Sequence, residues 1–249
     1  MKKTVLIAAA IVLSSSISYA ATLIDFEGLQ DNEPVEQFYD GAAVGGKGSP
    51  AGGARNFGID FSPNALALKS TAVGGTGKFV GEPSPGTVLF FLTGPAATMN
   101  VGNGFSGGFS FYYTSINFDG YIKVYDGLDA TGNVLATLHL PVTPAALPEG
   151  VFGPFYPIGI PFDGTALSID FGGAVNNIGF DNITIGSMTP IGPKPGDCNR
   201  DNVLSIDEIQ DAINMSEGLQ ASQPCVDVSW DGSVTWVEVQ NTINAYLGL

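Results

Sequence analysis

The chain has 249 residues, 34 of them glycine, and carries nine Lys and Arg against 24 Asp and Glu, a formal charge of −15. That balance excludes a nucleic-acid binder, which needs clustered cations against the phosphates, and favours a partner that is itself a cation. So much glycine, with only 13% charged residues, disfavours helices and suits a turn-rich extracellular β fold.

Residues 1–20 open with Lys2 and Lys3, continue through an apolar run from Val5 to Leu13 and end in Ser18-Tyr19-Ala20. Small residues at Ser18 and Ala20 predict a signal peptide cleaved after Ala20. The run is shorter than the roughly 20 apolar residues a spanning helix needs, and no later segment approaches that length, so membrane insertion is not expected. The mature chain is therefore read as secreted, in the periplasm, at the cell surface or outside the cell. Its charge is −15 − 2 = −17, because the leader holds two Lys and no acid.

Residues 21–188 read as one β-sandwich domain, long enough to bury its own core. Apolar and polar residues alternate over Leu23 to Phe26, Val88 to Leu92, Phe109 to Tyr113, Tyr121 to Tyr125, Val134 to Leu140, Ala166 to Phe171 and Ile178 to Ile185, with turn residues between them. In Tyr121-Ile122-Lys123-Val124-Tyr125, Ile122 and Val124 face the core and the other three face outward. Asp126-Gly127 and Gly132-Asn133 supply the turn of a hairpin to Val134. Many short strands without helical periodicity predict a mainly β fold, an antiparallel sandwich or jelly roll, with no helix of three turns. Residues 189–196, Thr-Pro-Ile-Gly-Pro-Lys-Pro-Gly, form a Pro-rich linker.

Beyond the linker, the sequence repeats at a shift of 30 residues, Asp197 to Leu219 onto Asp227 to Leu249, with identity at eight positions. Each copy opens with a twelve-residue pattern that places oxygen at positions 1, 3, 5, 7, 9 and 12, the arrangement a hard cation with six to eight oxygen ligands requires. The first copy offers Asp197, Asn199, Asp201, the Val203 carbonyl, Ser205 and Glu208. The second offers Asp227, Ser229, Asp231, the Ser233 carbonyl, Thr235 and Glu238. Position 6 is Gly232 in one and Asn202 in the other, both residues that tolerate the left-handed turn needed there. Two calcium ions are the expected cofactors; the competing reading is that these residues form ordinary solvated turns. Leu204 and Val234 at position 8 suit a short β contact between loops. An amphipathic helix is expected behind each loop, with Ile206, Ile209 and Ile213 inward in the first, and Val239, Ile243 and Tyr246 or Leu247 in the second. Cys198 and Cys225 are the only cysteines, and in an exported chain they are expected to form one disulfide, two free thiols being the other reading.

Over Gly196 to Leu249 these tandem loop-plus-helix units, with no clear helix entering each loop, resemble a dockerin-type calcium repeat, that is, a double EF-hand module. The resemblance implies two calcium-loaded units packed antiparallel and a protein partner held by the module, a cohesin domain in true dockerins. Positions 10 and 11, where dockerins carry small hydroxyl pairs that read the partner, are Ile206-Asp207 and Trp236-Val237 here, and position 12 is Glu in place of the usual Asp. The phrases Leu23-Ile24-Asp25-Phe26-Glu27-Gly28-Leu29 and Ile178-Gly179-Phe180-Asp181-Asn182-Ile183-Thr184-Ile185-Gly186 resemble the first and last strands of extracellular jelly-roll modules, including carbohydrate-binding ones. In some of these the terminal strands share a structural calcium, for which Glu27 and Asp181 would match; the other reading is carboxylates in solvent or hydrogen-bonded to backbone.

No nucleophile motif surrounds the single histidine, His139, and no carboxylate pair stands out, so no catalytic residue is assigned and the chain is not expected to be an enzyme. Tyr112, Tyr121 and Tyr125 are candidates for a sugar-stacking face. Two function classes result: a non-catalytic calcium-binding extracellular binding or adhesion protein with a possible glycan ligand, and a structural surface-assembly component attached to a partner through its C-terminal module; a carbohydrate-active enzyme is the lesser alternative, since 24 acidic residues leave room for a carboxylate pair.

Overall fold

A computed structural model describes residues 21–41, 44–50, 56–84, 86–144, 150–198, 203–223, 225–227 and 232–248. The signal-peptide reading of residues 1–20 lies outside them.

The described elements run β1 (Thr22–Ile24), β2 (Glu33–Pro34), β3 (Tyr39–Asp40), β4 (Asn56–Phe61), β5 (Ala65–Lys69), β6 (Thr87–Phe91), β7 (Ala96–Phe105), β8 (Phe109–Thr114), β9 (Gly120–Tyr125), β10 (Val134–Leu140), β11 (Tyr156–Ile160), β12 (Ala166–Gly172), β13 (Gly179–Ile185), α1 (Ile206–Ser216) and α2 (Trp236–Leu247). The strands form two antiparallel sheets, one in the order β11-β8-β13-β6-β5-β2 with β1 also on β13, the other β10-β9-β12-β7-β4-β3. This is the expected mainly β sandwich. Between residues 21 and 188 the only described helical segment is a single 3-10 turn at Thr71–Val73.

Alternation decides which side chains the sheets enclose. Ile122 and Val124 of β9 are fully buried while Tyr121, Lys123 and Tyr125 are half-exposed on the outer face, and the β9–β10 hairpin pairs Leu138 with Ile122. The core between the sheets is rich in phenylalanine: Phe171 and Phe180 pack with ring centroids 5.1 Å apart, and Phe111 lies 5.8 Å from Phe180. Edge-to-face rings of this kind add to what their buried area alone contributes.

All seven expected strands are present, with shifted ends that have local causes. β1 stops at Ile24, two residues before Phe26 takes the left-handed φ of +59° that turns the chain. β13 begins at Gly179, not Ile178, and β6 ends at Phe91, leaving Leu92 exposed. Six strands were not foreseen, among them β7, which at ten residues is the longest described. The Pro-rich linker packs against β13 before it leaves: the Ile191 N–H donates to Thr184 Oγ1 (2.9 Å) and Asn182 Nδ2 donates to the Ile191 carbonyl (2.8 Å).

Candidate functional site

The C-terminal units repeat in structure as they do in sequence. α1 and α2 begin 30 residues apart, each capped by a hydroxyl residue, Ser205 or Thr235, and followed at the third helical position by Glu208 or Glu238. Glu208 accepts the Ser205 N–H (2.9 Å) and hydroxyl (3.0 Å); Glu238 accepts the Thr235 N–H (2.8 Å) and hydroxyl (3.0 Å). Gln210 donates to Asn214 at 3.0 Å and Gln240 to Asn244 at 2.9 Å. Gly218 and Gly248 close the two helices at φ +71° and +69°.

Of the expected ligand positions within the described residues, Ser205 meets Glu208 and Thr235 meets Glu238. Cys198, at position 2, donates its N–H to Glu208 Oε1 (3.1 Å), which closes the first twelve-residue stretch end to end. In the second copy Gly232 has φ +86°, which Gly alone adopts without strain, and its N–H donates to Asp227 Oδ2 (2.9 Å), which also receives the Ser222 hydroxyl (3.1 Å). Asp197, Asp227 and Glu208 are each 6% exposed and Glu238 4%. Four carboxylates so deeply withdrawn from water need compensation in kind, by donors or by a cation. Asn199, Asp201, Ser229 and Asp231, together with Asn202, lie outside the described residues. Val203 is exposed and Ser233 has an exposed side chain, as residues that would contribute only a carbonyl can be. Among the described residues, no three His, Cys, Asp or Glu side chains form a metal-holding group.

Cys198 and Cys225 form the expected disulfide, with Cα atoms 5.2 Å apart, and the Gly196 N–H donates to the Cys225 carbonyl (2.8 Å). Behind them Ala212, Met215, Val226, Val234 and Val239 make a small core, flanked by Ile213 and Ile243. Of the expected inward residues, Val239 is buried and Ile213 and Ile243 pack against the core, whereas others face water. Ile206 is 63% exposed, and Tyr246 and Leu247 are exposed as well. Turning Glu208 and Glu238 inward fixes each helix's rotation, so the buried stripe of α1 runs through Glu208, Ala212 and Met215. Leu204 and Val234 are both buried, but no β-bridge joins them.

In the sandwich, β1 and β6 occupy the same edge of β13, one at each end, and at their junction Asn182 takes φ +46°. Asp181 is fully buried there and accepts the Ser84 N–H (3.0 Å), the Ser84 hydroxyl (2.8 Å) and the Asn182 N–H (2.7 Å). Glu27 accepts the Thr87 N–H (2.8 Å). Burial pushes both carboxyls above their ordinary range, Asp181 far above it. Both acids accept backbone N–H groups.

The aromatic candidates separate. Tyr121 and Tyr125 flank Asp170 on the outer face of one sheet; burial and that carboxylate raise both phenols. The Tyr121 ring lies over Gly172, where a Cβ would meet it at 2.1 Å, and Lys123 Nζ sits 5.2 Å from its centroid. Tyr112 belongs to β8 in the other sheet and packs beside Phe79 and Phe155. It cannot share a sugar with them. His139 is a surface side chain, its Nε2 3.1 Å from Asp119.

No protein-family model and no curated protein matches the chain. Among solved structures, it is similar to the K2 cleaved adhesin domain of Lys-gingipain at 12% identity, covering 67% of this chain and 99% of that one, with a TM-score of 0.40. It is also similar to the K1 cleaved adhesin domain of Lys-gingipain from Porphyromonas gingivalis W83, at 13% identity over 52% of this chain and 98% of that one, TM-score 0.29. A third similarity is to the CBM22-1–GH10 modules of Clostridium thermocellum xylanase 10B complexed with xylohexaose, at 12% identity over 66% of this chain and 29% of that one, TM-score 0.30. No helix among the described residues is long and apolar enough to cross a membrane.

Proposed function

We propose that this is a non-catalytic extracellular binding protein, in which a dockerin-like pair of calcium loops forms the C-terminal module and the β-sandwich serves for recognition. The observation that carries the calcium reading is the duplicated placement of acids: buried Glu208 and Glu238 at position 12, each bonded to its own N-cap, with buried Asp197 and Asp227 at position 1. Carboxylate and carbonyl oxygens are the donors a hard divalent cation selects. Asp197, Asn199, Asp201, Val203, Ser205 and Glu208 would hold one ion and Asp227, Ser229, Asp231, Ser233, Thr235 and Glu238 the other. The ion supplies the positive charge that lets three carboxylates share one loop. The disulfide fits export to an oxidising compartment.

Calorimetric titration of calcium into the full mature chain tests this reading. Two ions per chain are expected; Glu238→Gln weakens the second site and Glu208→Gln the first. No heat above that of mixing, or heats unaltered by either substitution, would refute the calcium assignment.

Attachment to a protein partner is the second reading, favoured by one observation: Ile206, Trp236 and Val237, at positions 10 and 11 of the two units, are 63%, 61% and 70% exposed. Large apolar side chains left in water at equivalent places of a repeat suit a protein contact. Trp236→Ser should leave stability within about 0.5 kcal/mol and abolish calcium-dependent capture of any envelope partner. Undiminished capture would rule this surface out.

A further inference from the structure

The outer face of the β11-β8-β13-β6-β5-β2 sheet is covered where β6 crosses it. All five residues of β6 are buried, Leu89 and Phe91 in the sandwich core and Val88 in a separate cluster with Phe79 and Phe155. Two straps make that cover. They meet in a short parallel bridge between Phe79 and Phe152, in which the Phe152 N–H donates to the Lys78 carbonyl (2.9 Å) and the Val80 N–H to the Phe152 carbonyl (3.0 Å). Between straps and sheet lies an open cleft of about 310 Å³. That volume is at the lower end of the roughly 300–1,000 Å³ of small-ligand clefts.

The lining has two characters. Phe79, Phe90, Phe152 and Phe155 supply rings, while Asn32, Thr76, Lys78 and Asn176 supply amide, hydroxyl and ammonium groups. Part of this polar rim is fixed in advance: Asn32 Nδ2 donates to Thr76 Oγ1 (3.1 Å), and the Thr76 hydroxyl to Asp31 Oδ2 (2.8 Å), a carboxylate also engaged by the Lys69 N–H (2.9 Å). Lys78 has its backbone held by the strap, its side chain is exposed, and it makes no ion pair among the described residues. Lys78 places an ammonium group at the rim of a ring-lined cleft, where it can pair with an anion.

We propose that this cleft binds one residue of an acidic polysaccharide, a hexuronate, with the apolar face of the pyranose against the phenyl rings, its hydroxyls on Asn32, Thr76 and Asn176, and its carboxylate on Lys78. A sugar ring combines an apolar face with a hydroxylated edge, as the lining does, and an ammonium distinguishes the uronate from the neutral hexose. The inference rests on the recognition role proposed above for the sandwich and is independent of the calcium loops.

The test is calorimetric titration of the full mature chain at low ionic strength with oligogalacturonate, oligoglucuronate and their neutral counterparts, repeated with calcium and with chelator. Expected are binding of at least one acidic oligomer in preference to its neutral form, a loss of about tenfold in Lys78→Gln with recovery in Lys78→Arg, and no change in Lys123→Gln on the opposite sheet. Equal binding of the neutral oligomers, or undiminished binding in Lys78→Gln, overturns the cleft while leaving the sandwich a recognition domain. Absence of binding to any of these sugars overturns the cleft too, and a glycan array on the same protein then decides whether the recognition role falls with it.

Discussion

The sandwich and the C-terminal module solve the problem of staying folded in different ways. Among the described residues, the sandwich core joins thirty buried apolar side chains and the module's core five. A unit of about fifty residues does not bury enough to hold itself together, since below roughly 70–80 residues one core rarely supplies more than 3–5 kcal/mol. The module therefore relies on a disulfide, capped helices and, on the reading above, two cations. The consequence is that the same perturbation should act on one region and leave the other unchanged.

The largest expected effect is in the sandwich. Phe180 is fully buried against Phe111 and Phe171, and Phe180→Ala should cost about 3–5 kcal/mol in the thermal transition of the sandwich alone. A matching loss in the module would show that the two regions unfold together. Next, replacing both cysteines by serine should remove on the order of 3–4 kcal/mol from the module and nothing from the sandwich; urea unfolding followed at Trp236, which lies in the module, reads this.

A smaller effect separates the two regions by pH. Glu33 is fully buried in the sandwich and accepts the N–H groups of Gln30 (2.6 Å), Lys47 (2.9 Å) and Ser49 (3.0 Å) together with the Ser49 hydroxyl. Burial opposes ionisation, but these donors outweigh it and hold the carboxyl below its ordinary 4.5. A folded-state pKa below the unfolded one stabilises fully above the unfolded value and is lost as pH falls through the folded one. Glu33→Gln should cost about 1–3 kcal/mol near neutrality, and the cost should shrink below pH 4.5. A deficit that stays constant down to pH 3 would mean that the charge on Glu33 is not what organises this loop.

The two regions also differ in how much of them the sequence discloses. The C-terminal repeat of capped helices is legible because its signals are local: the N-cap hydroxyl, the glutamate three residues on and the closing glycine lie close in sequence, and both copies carry them. Strands with aromatic or β-branched alternation, such as β9 and β10, are legible for the same reason. β7 is not, because Ala96–Phe105 carries Ala, Thr, Asn and Gly where an inner strand usually carries large apolar residues. Its Asn100 is held by Asp60 and Asp129, residues 40 and 29 positions away. β11 contains Pro157, which argues against a strand in sequence and is accommodated because β11 lies at the sheet edge. Glu33 and the cleft beside Lys78 give little local signal, since Lys47 and Ser49 at the one, and Asn32, Phe90, Phe152, Phe155 and Asn176 at the other, arrive from distant parts of the chain. On α1 hydrophobicity finds Ile213 but misplaces Ile206, because an acid, Glu208, sets which side faces in.

Differential scanning calorimetry of the full mature chain, in millimolar calcium and then in excess chelator, tests the central contrast most directly. Binding to the native state alone stabilises by RT ln(1 + [L]/Kd), about 4 kcal/mol at a thousandfold excess over Kd, which is comparable to the whole stability expected of so small a module. The account predicts two transitions, of which the smaller moves to much lower temperature or disappears in chelator while the larger stays in place. Superimposable scans in the two conditions would contradict it.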